Sequence, residues 1–133
     1  MKVLVDTSFL IYCADKGKDF LSMAEESLGE RLECYVIEDV LRELKGLARN
    51  RGKRGALAGV ASKIAEKMTL ISSDLPDTLT EDQKLLETAR LRGMALATTD
   101  WELISEARKR GVPVITVKKN QSVIFLGTRL KVK

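Results

Sequence analysis

The stretch Lys2-Val3-Leu4-Val5-Asp6-Thr7-Ser8-Phe9-Leu10-Ile11-Tyr12-Cys13 decides how the rest of the chain folds. Lys2–Asp6 is a short run of valine and leucine that reads as a strand. Thr7 and Ser8 then offer hydroxyls that cap a helix N-terminus, and the apolar residues after them continue as that helix. Strand, polar turn and helix within so few residues mark the opening of a strand–helix–strand unit.

Working outward, the same alternation repeats. The spacing predicts a helix from about Lys18 to Leu28, stopped by Gly29, and then a strand at Cys34–Ile37. Glu38–Arg49 reads as a helix with Val40, Leu41, Leu44, Leu47 and Ala48 at core spacing. After the Asn50-Arg51-Gly52 break, Lys53–Met68 reads as another helix, with Leu57, Val60, Ala61, Ile64 and Met68 facing inward. Strands follow at Thr69–Ser72, Met94–Thr98 and Val114–Val117, with an edge strand at Val123–Leu126. Helices at Thr80–Leu91 and Trp101–Arg110 fall between them, each stopped by a glycine. Strands and helices in this order indicate an α/β fold: a three-layer α/β/α sandwich around a central, mostly parallel sheet. The 133 residues are expected to form one domain, 1–133.

Composition excludes several classes of function. The longest apolar run, Phe9 to Ala14, is far short of the roughly 20 residues of a membrane span, and no signal-peptide core precedes it. A cytoplasmic protein without membrane attachment is expected. The chain has no histidine, which removes Ser-His and Cys-His nucleophiles and His-ligated zinc. Its two cysteines, Cys13 and Cys34, sit in apolar stretches and are expected to be buried and reduced. No G-x-x-x-x-G-K-[ST] or G-x-G-x-x-G loop is present, and Gly55-x-x-x-Gly59 reads as close helix packing. Catalysis is left to carboxylates, hydroxyls, Lys and Arg.

In open α/β sheets, functional groups collect beyond the carboxyl ends of the strands. Asp6 ends the first strand and Asp100 lies just past the fourth. Glu43 rides on the helix leaving the second strand, and Asp82 occupies the first turn of the helix after Pro76. Each has a plainer reading. Asp100 caps a helix, Glu43 pairs with Arg42 or Lys45, and Asp82 complements a helix N-terminus. A capping box at Thr80-x-x-Gln83 or Thr78-x-x-Glu81 is also open. Asp6 is harder to place this way, because a carboxylate closing a buried strand is costly without partners. Four acids converging on one rim favour a metal site, and oxygen-only ligands suit Mg²⁺ or Mn²⁺. Carboxylate-held ions of this kind hydrolyse phosphodiesters.

Val3 to Ile11, Val40-Leu41-x-Glu43-Leu44, Asp82 ahead of Ala89-x-x-x-Gly93, and Ala97-Thr98-Thr99-Asp100-x-x-Leu103 together resemble a PIN domain over nearly the whole chain. The resemblance implies a metal-dependent ribonuclease with Asp6, Glu43, Asp82 and Asp100 as its acidic cluster. It also implies that the Ser8 and Thr98 hydroxyls orient those carboxylates. Stand-alone PIN domains of this length are very often VapC-like toxins of type II toxin-antitoxin systems, which implies an antitoxin partner and a homodimer. The region from Asp100 to Ile115 also resembles archaeal PIN nucleases that process ribosomal RNA. A third reading is a PIN-like module that binds RNA or protein without cutting.

Charge is uneven along the chain. Residues 42–67 carry eight Lys and Arg (Arg42, Lys45, Arg49, Arg51, Lys53, Arg54, Lys63 and Lys67) against Glu43 and Glu66. Such density attracts a phosphate backbone, and Arg49, Arg51, Lys53 and Arg54 are the candidates to guide RNA. The alternative is a solvated helix pair.

Overall fold

In the computed structural model, which describes residues 1–127, the elements run β1 (Lys2–Val5), α1 (Thr7–Lys16), α2 (Phe20–Leu28), β2 (Glu33–Ile37), α3 (Glu38–Leu47) and α4 (Lys53–Glu66). They continue with β3 (Thr69–Ile71), α5 (Glu81–Arg92), β4 (Ala95–Ala97), α6 (Trp101–Lys109), β5 (Val114–Val117) and β6 (Val123–Leu126). Residues 128–133 of the expected domain lie outside the described residues. The six strands form one sheet in the order β3-β2-β1-β4-β5-β6, parallel except for β6, which pairs antiparallel with β5.

That order has a consequence for function. The chain winds from β1 outward to β3, then returns to lay β4 on the other side of β1 and winds to the opposite edge. Connections therefore leave β1 and β4 in opposite directions, opening a crevice beyond their carboxyl ends, where such sheets bind ligands. Register puts the crevice directly after Val5 and Ala97, which are paired. The Asp6 N–H donates to the Ala97 carbonyl at 2.9 Å, so Asp6 is the first residue past the seam.

Val3, Leu4 and Val5 are wholly buried. This is the continuous apolar run demanded of a central parallel strand covered on both faces. Each such side chain contributes roughly 1.5–3 kcal/mol on leaving water. Helices α1, α3 and α4 pack on one another; α5 packs on α6, β4 and β1, and α6 also covers β5.

The buried side of α4 differs from the periodic expectation. Gly55, Ala58, Ala61, Ser62 and Ala65 are buried, whereas Leu57 and Ile64 are half-buried and Val60 is 51% exposed. Two helices, α1 and α3, press on α4, and close approach selects small side chains for the contact. The larger ones are displaced to its margin. Gly55 is required at the start of this contact, because a Cβ there would run into the Asn50 carbonyl; Gly59 meets no such restriction. Of the cysteines, Cys13 is buried but Cys34 only partly so, and both are free thiols. Burial pushes the Cys34 thiol up to about 11, well away from a reactive thiolate. Among the described residues no helix is long and apolar enough to cross a membrane.

Candidate active site

Asp6 stands where α1 would take its N-terminal cap, yet its side chain caps nothing. Its Oδ2 instead accepts from the Ser8 hydroxyl at 2.8 Å and the Thr98 hydroxyl at 2.7 Å. Those hydroxyls are themselves oriented by backbone donors. The Thr99 N–H donates to Ser8 Oγ at 3.1 Å, and the Asp100 N–H donates to Thr98 Oγ1 at 3.0 Å. The backbone leaving β4 thus fixes two hydroxyls, and they fix the carboxylate leaving β1. Thr7 and Ser8 do not serve as helix caps; both hydroxyls point to acids. Burial still dominates at Asp6, holding its carboxyl above the ordinary range, while the two hydroxyl bonds pull it down and the Asp100 charge adds to the rise.

Asp100 does cap α6, its Oδ1 accepting from the Glu102 N–H at 2.9 Å and more weakly from Leu103 at 3.3 Å. Capping occupies one oxygen and leaves the group at the rim. Asp82 is not a cap. The capping box of α5 is made by Thr80 and Gln83, whose bonds are 2.8 and 3.1 Å. Asp82 is left exposed, with its carboxyl held high first by partial burial and then by the charges of Asp6, Asp100, Glu43 and Glu102. Glu43 pairs with neither Arg42 nor Lys45, which turn to Asp39 and Glu66. It accepts from the Thr7 hydroxyl at 2.7 Å. Asp82 therefore lies in the fields of Asp6, Asp100 and Glu43, and Asp6 in that of Asp100, although the four come from separate segments.

Two residues of this neighbourhood escape the sequence reading. Glu81, absorbed there as a possible capping-box partner, is released by the Thr80–Gln83 box and turns to Glu43. Its carboxyl is pushed up to about 8 by burial, by hydrogen bonding with Glu43 and by the charges of Glu43 and Asp6, against a weak pull from Thr7. Lys84, one turn later on α5, has a side chain only 6% exposed; its Nζ donates to Asp39 at 3.0 Å and to Asp77 at 3.1 Å. Asp39 and Glu43 share one face of α3, as Glu81 and Lys84 share one face of α5. The Lys84–Asp39 bond thus pins the helices at the spacing that sets Glu81 against Glu43. Two neighbouring acids on a helix start, Glu81-Asp82, were the available signal for Glu81. Nothing in the sequence marks Lys84 as buried.

Among the described residues no three His, Cys, Asp or Glu side chains are already gathered as a metal cage. The donor set, carboxylates and hydroxyls without imidazole or thiolate, nonetheless suits a hard divalent cation. Burial, and after it the charges of neighbouring acids, raises the Asp6, Glu81 and Asp82 carboxyls, and a bound cation opposes that rise. Of the basic candidates, Lys53 and Arg54 line a cleft of about 540 Å³ that reaches Ser8, with Ile11, Tyr12, Asp15 and Leu57 as its other walls. Lys53 is partly neutralised by Asp15 at 3.7 Å. Arg49 and Arg51 are exposed nearby in sequence, at the α3–α4 turn.

Comparison with known proteins agrees with this fold. The family model described as a PIN like domain matches residues 3–120. Ribonuclease VapC9 of Archaeoglobus fulgidus is 31% identical over 121 residues, covering 90% of this chain and 85% of that protein. Among solved structures, the PIN domain endonuclease Utp24 superposes with a TM-score of 0.77 at 20% identity, over 98% of this chain and 96% of that one. A domain of a functionally unknown protein from Methanocaldococcus jannaschii superposes with a TM-score of 0.65 at 16% identity, over 99% of each chain. With the family model covering most of its length and a ribonuclease relative at this identity, the chain belongs to the PIN-like domain family.

Proposed function

We propose that this protein is a Mg²⁺- or Mn²⁺-dependent endonuclease that hydrolyses phosphodiester bonds in single-stranded RNA. Asp6, Glu43, Asp82 and Asp100 are the catalytic, cation-holding carboxylates. The observation that carries the reading is that Asp82 lies in the fields of Asp6, Asp100 and Glu43, acids from three other segments, beside the crevice between β1 and β4. The identity shared with Ribonuclease VapC9 supports ribonuclease over other phosphodiesterase chemistry. A bound divalent cation supplies charge neutralisation and an activated water for in-line displacement. This chain's residues do the rest. Ser8 and Thr98 hold Asp6 in one orientation, Thr7 holds Glu43, and Lys53 and Arg54 draw the phosphate backbone toward the rim. Its biological role is the toxin of a VapC-like pair, a homodimer restrained by an antitoxin protein in the cytoplasm.

The test is cleavage of single-stranded RNA with Mg²⁺ or Mn²⁺ and with a chelator, for the wild type and for Asp6→Asn and Asp100→Asn. Cleavage that needs the cation and is lost in both variants, with the fold retained by circular dichroism, is the expected result. Cleavage in chelator, or an Asp6→Asn protein at the wild-type rate, contradicts it. A small upstream reading frame whose product copurifies and suppresses cleavage marks the toxin role. The Lys- and Arg-rich α3–α4 segment favours ribosomal RNA processing as the second reading, which gains if no such frame exists.

A further inference from the structure

We infer that the groove beside α6 is a nucleobase subsite, in which Trp101 stacks an unpaired base of single-stranded RNA and Arg108 receives a backbone phosphate. The inference rests on the ribonuclease reading, since the RNA in this groove is the strand that passes the acidic rim.

Trp101 is the only tryptophan of the chain and is 78% exposed, more than any other large apolar side chain among the described residues. An isolated aromatic of this size in water gains by being covered. Its place in the sequence ties it to the candidate active site, because it directly follows Asp100 and opens α6. The side chain lines a groove of about 780 Å³, whose walls are Trp101, Ile104, Ser105 and Arg108 on α6 and Leu126 on β6. The α6 positions fall at the spacing of one helix face. The groove therefore begins at the catalytic rim and runs along α6 for roughly 10 Å, at 1.5 Å rise per residue.

Charge at the far end selects the ligand. Lys109 and Arg110 also border the groove but are engaged by Glu106 and Glu87. Arg108 has no ion pair among the described residues, and its Nε is buried without a hydrogen-bond partner. The half-buried Arg108 guanidinium, lining the groove without a carboxylate partner among the described residues, suits an anionic acceptor, and phosphate oxygens match its planar fork. An aromatic platform followed by a free guanidinium is how proteins hold single-stranded nucleic acid. Bases stack in sequence-tolerant fashion while the backbone is tracked by charge. An acidic peptide would satisfy Arg108 but leave the flat face of Trp101 without a matching π surface.

Because Trp101 is the sole tryptophan, its fluorescence reports the subsite directly. Oligouridylate and the same-length abasic oligonucleotide, of equal charge, are titrated into the protein in chelator so that no cleavage intervenes. Quenching by oligouridylate and little quenching by the abasic strand is expected. By anisotropy of labelled strands, Trp101→Ala should weaken oligouridylate binding by roughly 5- to 150-fold, the range for one stacked base. Trp101→Phe should restore most of it, and both variants should bind the abasic strand as the wild type does. Arg108→Ala should weaken both strands alike. Equal quenching by the two strands, or unchanged affinity of Trp101→Ala for oligouridylate, overturns the subsite while leaving the nuclease reading intact. Base-dependent quenching in a protein that never cleaves RNA supports the subsite and removes the nuclease. Tryptophan emission that shifts with protein concentration before RNA is added, and is then indifferent to RNA, overturns the subsite in favour of a contact between copies.

Discussion

The acidic rim holds its carboxylates in two contrasting ways. On the β1–β4 side, Asp6 is 5% exposed and receives two hydroxyl donors that are themselves fixed by backbone N–H groups. On the α3–α5 side, Glu43 and Glu81 face each other and compete for the single proton of Thr7 Oγ1, 2.7 Å from Glu43 and 3.4 Å from Glu81. The first is a buried carboxylate whose desolvation is partly offset by donors. The second is carboxylate set against carboxylate, kept in place by the Lys84–Asp39 bond behind it. The seam rigidly places one group, while the facing pair stores a repulsion that a proton or a cation relieves. The two arrangements respond to different perturbations.

The widest separation is expected in rate. Losing the charge at Asp6 removes a preorganised group at the reacting phosphate and should lower RNA cleavage by at least about 10²–10³-fold. Glu81→Gln, at a group outside the proposed four, should cost far less. Single-turnover cleavage of the two variants under one set of conditions checks this, and equal losses would merge the two sides into one cluster.

The next effect is on stability. Thr98 is fully buried, and Thr98→Val removes both the donor to Asp6 and the acceptor of the Asp100 N–H while keeping the shape. Leaving those groups unsatisfied should cost about 1–3 kcal/mol in urea denaturation. The Asp6 carboxyl should rise further, because a bond that lowers it is gone. A neutral result would mean that the seam is not held by its hydroxyls.

A third prediction addresses pH. Glu81 takes up its proton more readily folded than unfolded, at about 8 against an ordinary 4.5. The folded state therefore binds the extra proton between those values, and stability conferred by this group is lost as pH rises from about 4.5 to about 8. Tm measured across that window should decline, and Glu81→Gln should flatten the decline. Saturating Mg²⁺ or Mn²⁺ should oppose it at the upper end, with about 2.7 kcal/mol at a hundredfold excess over Kd. A wild-type Tm that rises steadily over the window would show that the pair is not strained.

The smallest effect concerns the approach to the rim. Replacing Arg49, Arg51, Lys53 and Arg54 together by Ala should flatten the salt dependence of RNA binding, at roughly −0.7 in log affinity per log salt for each phosphate no longer neutralised. Affinity for different sequences should fall about equally, since such contacts read no bases. An unchanged slope would assign this segment to a solvated face or a protein partner.

The order of elements, and the places of Asp6 and Asp100 after strand ends, were legible in the sequence because both depend on near neighbours in the chain. Apolar runs at Val3–Val5 and Val114–Val117, and periodic helices between turn residues, mark the β-α alternation from local pattern alone. Acids placed just after strand ends follow from it, so Asp6 and Asp100 could be proposed before any contact was known. What tertiary structure decided is everything that depends on which helix presses on which. The buried side of α4 is Ala and Gly rather than Leu and Val, because α1 and α3 approach too closely for branched side chains. Glu81 joins the rim because Gln83, and not Glu81, closes the capping box, and because α3 lies one bond away across Lys84. Lys84 itself shows the limit most clearly. A lysine on a helix is solvent-facing by default, and only the meeting around it of Asp39, from distant α3, and Asp77, from the loop before α5, makes burial of its charge favourable.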